Sequence, residues 1–449
     1  MKISVINGSP SGENSVTLHT VLYLEKLCPN CSFEYLHVGQ KIKAIEKDFT
    51  FCAEALMRAD LILFCYPVYS FLVPSQLYRF IELMKEHGVS IQGKWATQIT
   101  TSVHFYDTVA HRFIQDICND FGLRFIRGLS AEMEDLLKEQ GRLEARHFMR
   151  HVFWSMREKI SEPMRMPSMD DSQHGIIPKL PPRTEKQQGN YIIVADMTAD
   201  DGSLRAMIDA FVRLADRSVQ LFDLATIRID GGCLGCFHCA SDGACIYKDG
   251  FDKFLCDEIQ TGDAIIYAFR IQNHSMGYRF KLFDDREYCN GHRLVMKGKP
   301  VGYLISGALD QETNLQTLLE AKAQVGGTPL MGIATDQHDP DREISELAKS
   351  ISFACSTHYC HSSNFYGVSG LKIYRDLVYS MQGLMKEDHR FFKENGLYDF
   401  PQKDKATIVK MYLASALLSN DNDKMREKFV EGKIAPYKKI VNDAKAPKK

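Results

Sequence analysis

The sequence has no excess of charge of either sign: 55 Lys and Arg stand against 57 Asp and Glu, a net charge of -2. This argues against nucleic acid as a partner, because its binders carry a basic patch or a strongly basic domain. No apolar run approaches the roughly 18–20 residues needed to cross a bilayer, so no membrane partner is expected. The N-terminus, Met1-Lys2-Ile3-Ser4-Val5-Ile6, enters an apolar strand at once, without the charged and apolar segments and the cleavage site of a leader. A cytoplasmic protein is the expectation. A nucleophile elbow of the hydrolase type is also missing. What is present is a globular composition, 45% hydrophobic and 25% charged over 449 residues, enough for two domains and an extension. The thirteen cysteines then sit in a reducing compartment, where a clustered subset reads as metal-binding or catalytic rather than as disulfides.

Residues 1–150 alternate apolar strands (2–6, 33–38, 61–65, 95–100) with helical stretches (16–27, 51–58, 75–85, 109–121). That rhythm predicts an α/β domain with a doubly wound parallel sheet. Residues 151–189 shift to polar composition with prolines at 163, 167, 178, 181 and 182, and are expected to be a linker. The βα order recurs over 190–345, with strands at 191–195, 219–224, 264–269 and 300–306. Arg58-Ala59-Asp60-Leu61-Ile62-Leu63-Phe64 parallels Thr261-Gly262-Asp263-Ala264-Ile265-Ile266-Tyr267, and Gln92-Gly93-Lys94-Trp95 parallels Lys297-Gly298-Lys299-Pro300, which points to internal duplication. Residues 346–449 form the expected helical extension, with apolar stripes at 344–353, 371–392 and 408–418 that pack on a domain face or cover a site.

The first strand ends in Asn7-Gly8-Ser9-Pro10-Ser11-Gly12-Glu13-Asn14-Ser15-Val16-Thr17, followed by a helix. Small and hydroxyl residues there let N–H groups and hydroxyls surround a phosphate at the positive end of the helix dipole. Without a Gly-Lys-Ser/Thr ending or the spaced glycines of a dinucleotide fingerprint, the loop suits a single phosphate such as that of FMN. It resembles the loop of the NADPH-dependent FMN reductase and iron–sulfur flavoprotein branch of the flavodoxin-like proteins. That resemblance implies two flavodoxin-like domains, with phosphate contacts from Ser9, Ser11, Ser15 and Thr17. Ser11 stands where the family often has arginine and Val16 where it often has asparagine. Pro67, Val68, Tyr69 and Ser70, after the strand at 61–65, resemble the family segment that lies against the flavin ring and gives it backbone N–H groups. Thr101, Ser102 and His104 follow the next strand and line the same crevice.

Cys233, Cys236, Cys239 and Cys245 give the spacing C-x2-C-x2-C-x5-C. This favours a [4Fe–4S] cluster over zinc, whose structural sites pair separated knuckles, and over an unmetallated thiol set. The motif also resembles that of iron–sulfur flavoproteins, in which flavin and cluster come close across subunits, so a tandem chain could bring them together internally. Cys28 and Cys31 read as incidental, and Cys256, Cys289, Cys355 and Cys360 as small buried hydrophobes. Asp196, Asp200 and Asp201 would repel a phosphate in the second copy and argue against a second FMN there. Arg270, Arg279, Lys281 and Arg286 read as an anion-receiving set or as a solvated helix face. The expected activity is an oxidoreductase with NAD(P)H or ferredoxin as donor and a small organic or quinone-like acceptor. The alternative is an electron carrier for a partner redox enzyme. No catalytic residue, donor, acceptor or oligomeric state is assigned by the sequence.

Overall fold

The structure, a computed structural model, describes residues 1–163, 174–181, 186–198, 200–418 and 423–443. The first half runs through β1 (Lys2–Asn7), α1 (Val16–Lys26), β2 (Ser32–Leu36), α2 (Val38–Ile45), α3 (Thr50–Arg58), β3 (Leu61–Pro67), α4 (Ser75–Glu86), β4 (Trp95–Ser102) and α5 (Asp107–Asp120). It closes with β5 (Arg124–Phe125), β6 (Leu129–Glu132) and α6 (Glu139–Glu158). The second half contains β7 (Asn190–Ala195), α7 (Gly202–Leu214), β8 (Ser218–Asp223), and the short helices α8 (His238–Asp242) and α9 (Phe251–Phe254). There follow β9 (Ala264–Arg270), α10 (Tyr278–Arg286), β10 (Val301–Ser306), α11 (Thr313–Gly326), β11 (Leu330–Thr335) and α12 (Pro340–Thr357). Last come α13 (Phe365–Ser380), α14 (Lys386–Glu394), α15 (Lys405–Leu418) and α16 (Asp423–Asp443).

Both sheets are parallel and share one order, β2-β1-β3-β4-β5 with β6 beside β4 in the first, and β8-β7-β9-β10-β11 in the second. This is the flavodoxin-like 2-1-3-4-5 arrangement, whose crevice lies outside the carboxyl ends of the strands at the switch point. The central strands β3 and β9 are near-continuous apolar runs because helices cover both faces of such a sheet. Ser15 caps α1 through Leu18 N–H, and Asp339 caps α12 ahead of Pro340.

Two expected boundaries fall inside helices. α6 runs eight residues into the stretch expected as linker, and its Phe148, Met149 and Val152 pack in the first core. α12 crosses residue 345, and Ile344, Leu347, Ala348 and Ile351 fill the second core, so it belongs to the second sheet rather than to an extension. The stripe at 371–392 is broken between Ser380 and Lys386. Pro167 and Pro182 of the linker lie outside the described residues. Residues 1–391 form one compact unit; residues 392–449 form another, in which α15 and α16 pack against each other.

The duplication extends to the join between the halves. After β3, Tyr69 and Leu72 exchange backbone hydrogen bonds of 2.8 and 2.9 Å across Ser70 and Phe71, which have φ of 45° and 70°. After β9, Gln272 and Ser275 do the same at 2.9 and 3.0 Å across Asn273 and His274, with φ of 50° and 60°. The helices that follow cap each other: Ser75 N–H donates to Asp285 at 2.7 Å, and Tyr278 N–H donates to Glu82 at 2.9 Å. Tyr78 donates its hydroxyl proton to the Gln272 carbonyl (2.6 Å), while Lys281 donates to the Tyr69 carbonyl (3.1 Å). One sequence offset relates the members of every pair, so α4 and α10 meet about a pseudo-two-fold axis.

Of the basic residues around α10, Arg270 and Arg279 are partly exposed, whereas Lys281 and Arg286 are neither a solvated face nor an open anion site. Lys281 is fully buried, 2.5 Å from Asp285 and 3.2 Å from Asp284, and Arg286 is 1% exposed. Asp285→Ala removes a helix cap and takes from the buried Lys281 ammonium its nearer carboxylate, leaving Asp284 at 3.2 Å, and is expected to lower stability in urea by roughly 3–5 kcal/mol. Glu82→Ala removes a cap and one of the three carboxylates around Arg79, which keeps Glu46 and Glu86, and should cost about 1–2 kcal/mol. Equal losses would contradict this asymmetry.

His274 joins the halves from the side, 2.9 Å from Asp120 at the end of α5 and 2.9 Å from Glu312. Burial opposes its charge, but its hydrogen bonds to Asp120 and Glu312 outweigh burial and raise its pKa to about 10. A group raised in the folded state stabilises fully below its unfolded pKa, about 6.5, and loses the effect as pH climbs through the folded value. The stability difference between the native chain and His274→Gln should therefore be constant below about pH 6 and close as pH approaches about 10, followed by urea unfolding across that range.

Candidate functional site

The carboxyl ends of β1, β3 and β4 lie side by side, with Asn7 in register with Cys65 and Pro67 with Thr101. The phosphate-type loop turns from β1 into α1. Within it Ser9 N–H donates to Asn7 Oδ1 (3.2 Å), Ser11 N–H to Ser9 Oγ (3.3 Å) and Gly12 N–H to the Ser9 carbonyl (3.1 Å). Ser15 caps Leu18, which leaves the N–H groups of Val16 and Thr17 without an acceptor among the described residues. Thr17 and Thr101 share a hydroxyl hydrogen bond of 2.6 Å that ties the first turn of α1 to β4. Ser9, Ser15, Thr17, Thr101 and Ser102 are buried, whereas Ser11 is exposed. The start of α2 closes on the loop: a Cβ at Gly39 would overlap the backbone of Gly8 and Ser9, and one at Gly12 would overlap the Gln40 carboxamide. With two helix-end N–H groups, adjacent hydroxyls and the dipole of α1, the donor set fits one phosphate.

The segment after β3 departs from the expected pattern. Val68 N–H donates to the Thr101 carbonyl (3.2 Å) and Tyr69 N–H to Leu72, so among the described residues the unengaged N–H groups of this segment are those of Ser70 and Phe71. His104, with φ 53°, takes its backbone hydrogen bond to Ser102 Oγ (2.9 Å). Its Nδ1 is 2.9 Å from Asp107 and 3.3 Å from Ser130, so Nε2 is the nitrogen left over on a half-exposed ring. Over this crevice lies α13. Tyr106 donates its hydroxyl proton to the Tyr366 carbonyl, Phe105 stacks on Tyr374 at 4.7 Å, and Phe71 packs against Phe105 and Tyr106 at 4.9 and 4.7 Å.

The four-cysteine loop of the second half reaches the same place. Gly232 packs against Ser75 and Gln76, Gln76 Nε2 is 3.5 Å from the Cys233 carbonyl, and the Tyr69 hydroxyl lies against Gly235. Lys43 of α2 donates to the Asp230 carbonyl. The loop is closed at its base by Arg286, which forks onto Asp249 at 2.8 and 2.9 Å, donates to the Gly231 carbonyl at 3.0 Å, and stacks on Tyr247 and Phe251. Burial works against the Asp249 charge, and Arg286 outweighs it, holding that carboxyl down to about 2. The pairing of Arg286 with Asp249, 37 residues apart, has no local signature in the sequence.

Burial pushes the Cys233 thiol up to about 12 and Cys239 up to about 11, each raised further by neighbouring thiols, so as free groups both are protonated near neutrality. Cys239 donates to the Tyr288 carbonyl (3.0 Å) and Cys236 is exposed. The donor chemistry suits a soft metal, but among the described residues no three His, Cys, Asp or Glu side chains converge as a metal-holding group. The loop in this conformation is therefore not a closed ligand set. Cys256 and Cys360 are exposed and Cys355 is partly so, contrary to the expected burial, while Cys289 is buried.

In the second sheet the matching crevice carries carboxylates. Asp196 pairs with Arg279 at 2.7 Å and Asp201 with Arg270 at 3.5 Å, and buried Asp336 accepts from Ser203, Ser306 and Gly307. Arg279 and Arg270 are thus matched internally.

Among solved structures, NADH:FMN oxidoreductase in its apo form is 18% identical, with a TM-score of 0.31 over 38% of this chain and 96% of that one. The NADPH-quinone reductase of P. pentosaceus is 12% identical, with a TM-score of 0.27 over 34% of this chain and 97% of that one. General stress protein 14 of Treponema denticola, in complex with FMN, is 10% identical, with a TM-score of 0.27 over 34% and 97%. No protein of curated function matches the chain in sequence. The model of the NADPH-dependent FMN reductase family matches residues 1–115, the stretch that holds the phosphate-type loop, the turn after β3 and the end of β4.

Proposed function

We propose that the protein is a flavin-dependent NAD(P)H oxidoreductase that holds FMN in the crevice of its first sheet and passes electrons to a small organic or quinone-like acceptor. The observation that carries the reading is the start of α1: two open N–H groups flanked by serine and threonine hydroxyls at the switch point of a 2-1-3-4-5 sheet. The family match over the same residues supports it. Bound FMN supplies hydride acceptance and one-electron release. The chain's own part is to hold the phosphate through Val16 and Thr17 N–H and the Ser9, Ser11 and Ser15 hydroxyls. Ser70 and Phe71 offer N–H groups to the polar edge of a ligand. His104, oriented by Asp107, holds or releases a proton at Nε2. The aromatic cover of Phe105, Tyr106 and Tyr374 limits the access of water.

The finer part of the proposal is that Cys233, Cys236, Cys239 and Cys245 take up a [4Fe–4S] cluster beside Tyr69. Their spacing and softness support it, and ligation requires the loop to close further than it does here. Anaerobic purification with assay of FMN, iron, sulfide and zinc per chain tests both parts. One FMN with iron and sulfide, the metal lost in Cys245→Ser, is expected; FMN alone would remove the cluster, and neither would overturn the redox assignment. Ser15→Ala should weaken FMN about tenfold in a fluorescence titration and lower stability by about 1 kcal/mol through the lost cap.

A further inference from the structure

A cavity of about 180 Å³ lies against the face of the second sheet, between β9, β10, α11 and α13, and reaches Ser70 and Phe71 of the turn after β3. Its volume is somewhat above the roughly 150 Å³ that houses a benzene ring. Phe71, Tyr288 and Tyr374 give it aromatic walls. At the polar end the Glu287 carboxyl accepts from the Tyr267 hydroxyl at 3.2 Å, its one protein partner among the described residues, and the Tyr303 hydroxyl beside it has none. Burial pushes the Glu287 carboxyl up to about 7, which keeps a neutral, proton-donating form populated. The charges that line the space are matched: Lys322 contacts Asp284, and His292 and Arg293 lie 2.9 and 3.5 Å from Asp388. A cavity whose charges are matched and whose one further acid is neutral or negative disfavours anions, whose desolvation nothing would offset.

We propose that this cavity binds a neutral single-ring compound bearing a carbonyl or phenolic oxygen, with the Glu287 carboxyl and the Tyr303 hydroxyl as its hydrogen-bonding partners and the aromatic walls enclosing the ring. A buried ring satisfies the apolar walls, while a lone oxygen substituent matches the polar end; a small apolar pocket with a few convergent polar groups is the usual form of a ligand site. The cavity shares Phe71 and Tyr374 with the surroundings of the first crevice, but its polar partners, Glu287 and Tyr303, are its own, so titration with and without FMN separates failure of this site from failure of the proposed activity.

The test is titration of the full-length chain with acetophenone and phenol, and with benzoate as the charged comparator, by saturation-transfer NMR and calorimetry, with and without FMN. Acetophenone and phenol are expected to bind whether or not FMN is present, and benzoate not to bind. Glu287→Leu should weaken acetophenone about tenfold, and Tyr303→Phe severalfold, whereas Glu287→Gln, which keeps a neutral donor, should stay within about threefold of the native chain. Tyr303→Phe serves as the deciding variant should Glu287→Leu fail to fold. Absence of binding by the neutral rings at millimolar concentration, equal binding of benzoate, or indifference to both substitutions would each overturn the proposal.

Discussion

Two backbone N–H groups, those of Ser75 and Tyr278, set how the halves of this molecule meet. Each opens a helix, each would otherwise be an unpaired donor in a buried place, and each is answered by a carboxylate one turn or more along the opposing helix. The arrangement fixes the angle and register of α4 against α10 together. Because α4 follows the turn at Ser70 and Phe71, and α10 follows the turn at Asn273 and His274, it also places both strand-end turns. The crevice of the first sheet and the cysteine loop of the second half meet at Tyr69 as a result.

The cysteine loop depends on the same helix. Arg286, the last residue of α10, holds both flanks of the loop, through Asp249 on one side and the Gly231 carbonyl on the other. A guanidinium does this where a lysine could not, since its planar fork meets the carboxylate with two bonds while its face rests on Tyr247. The helix that joins the halves thus also shapes the loop between them.

Much of this was legible in the sequence. The strands of both sheets have the apolar runs that burial on two faces demands, and the loop after β1 has the residues a helix-end anion site needs. The matching segments before β3 and β9 disclosed the duplication. What stayed hidden depends on contacts distant in sequence. Prolines and a change of periodicity mark borders inside α6 and α12, although Val152 and Ile351 lie in cores built by remote strands. Arg286 and Lys281 looked like surface charge because their partners, Asp249 and Asp285, carry no local signature of pairing. Glu287 gave no signal at all, since its surroundings are assembled from β9, β10 and α11.

The pseudo-two-fold join has a consequence for how its two sides can vary. In a dimer of identical chains every substitution at the axis appears twice, so a residue must suit its own copy. Here Tyr78 and Lys281 occupy equivalent stations, one neutral and one charged, and each donates to a carbonyl across the axis. Covalent linkage keeps the partner surface at high effective concentration, so a charge can be carried on one side without a like charge opposing it. Symmetry is then a starting geometry that the chain has been free to leave, residue by residue.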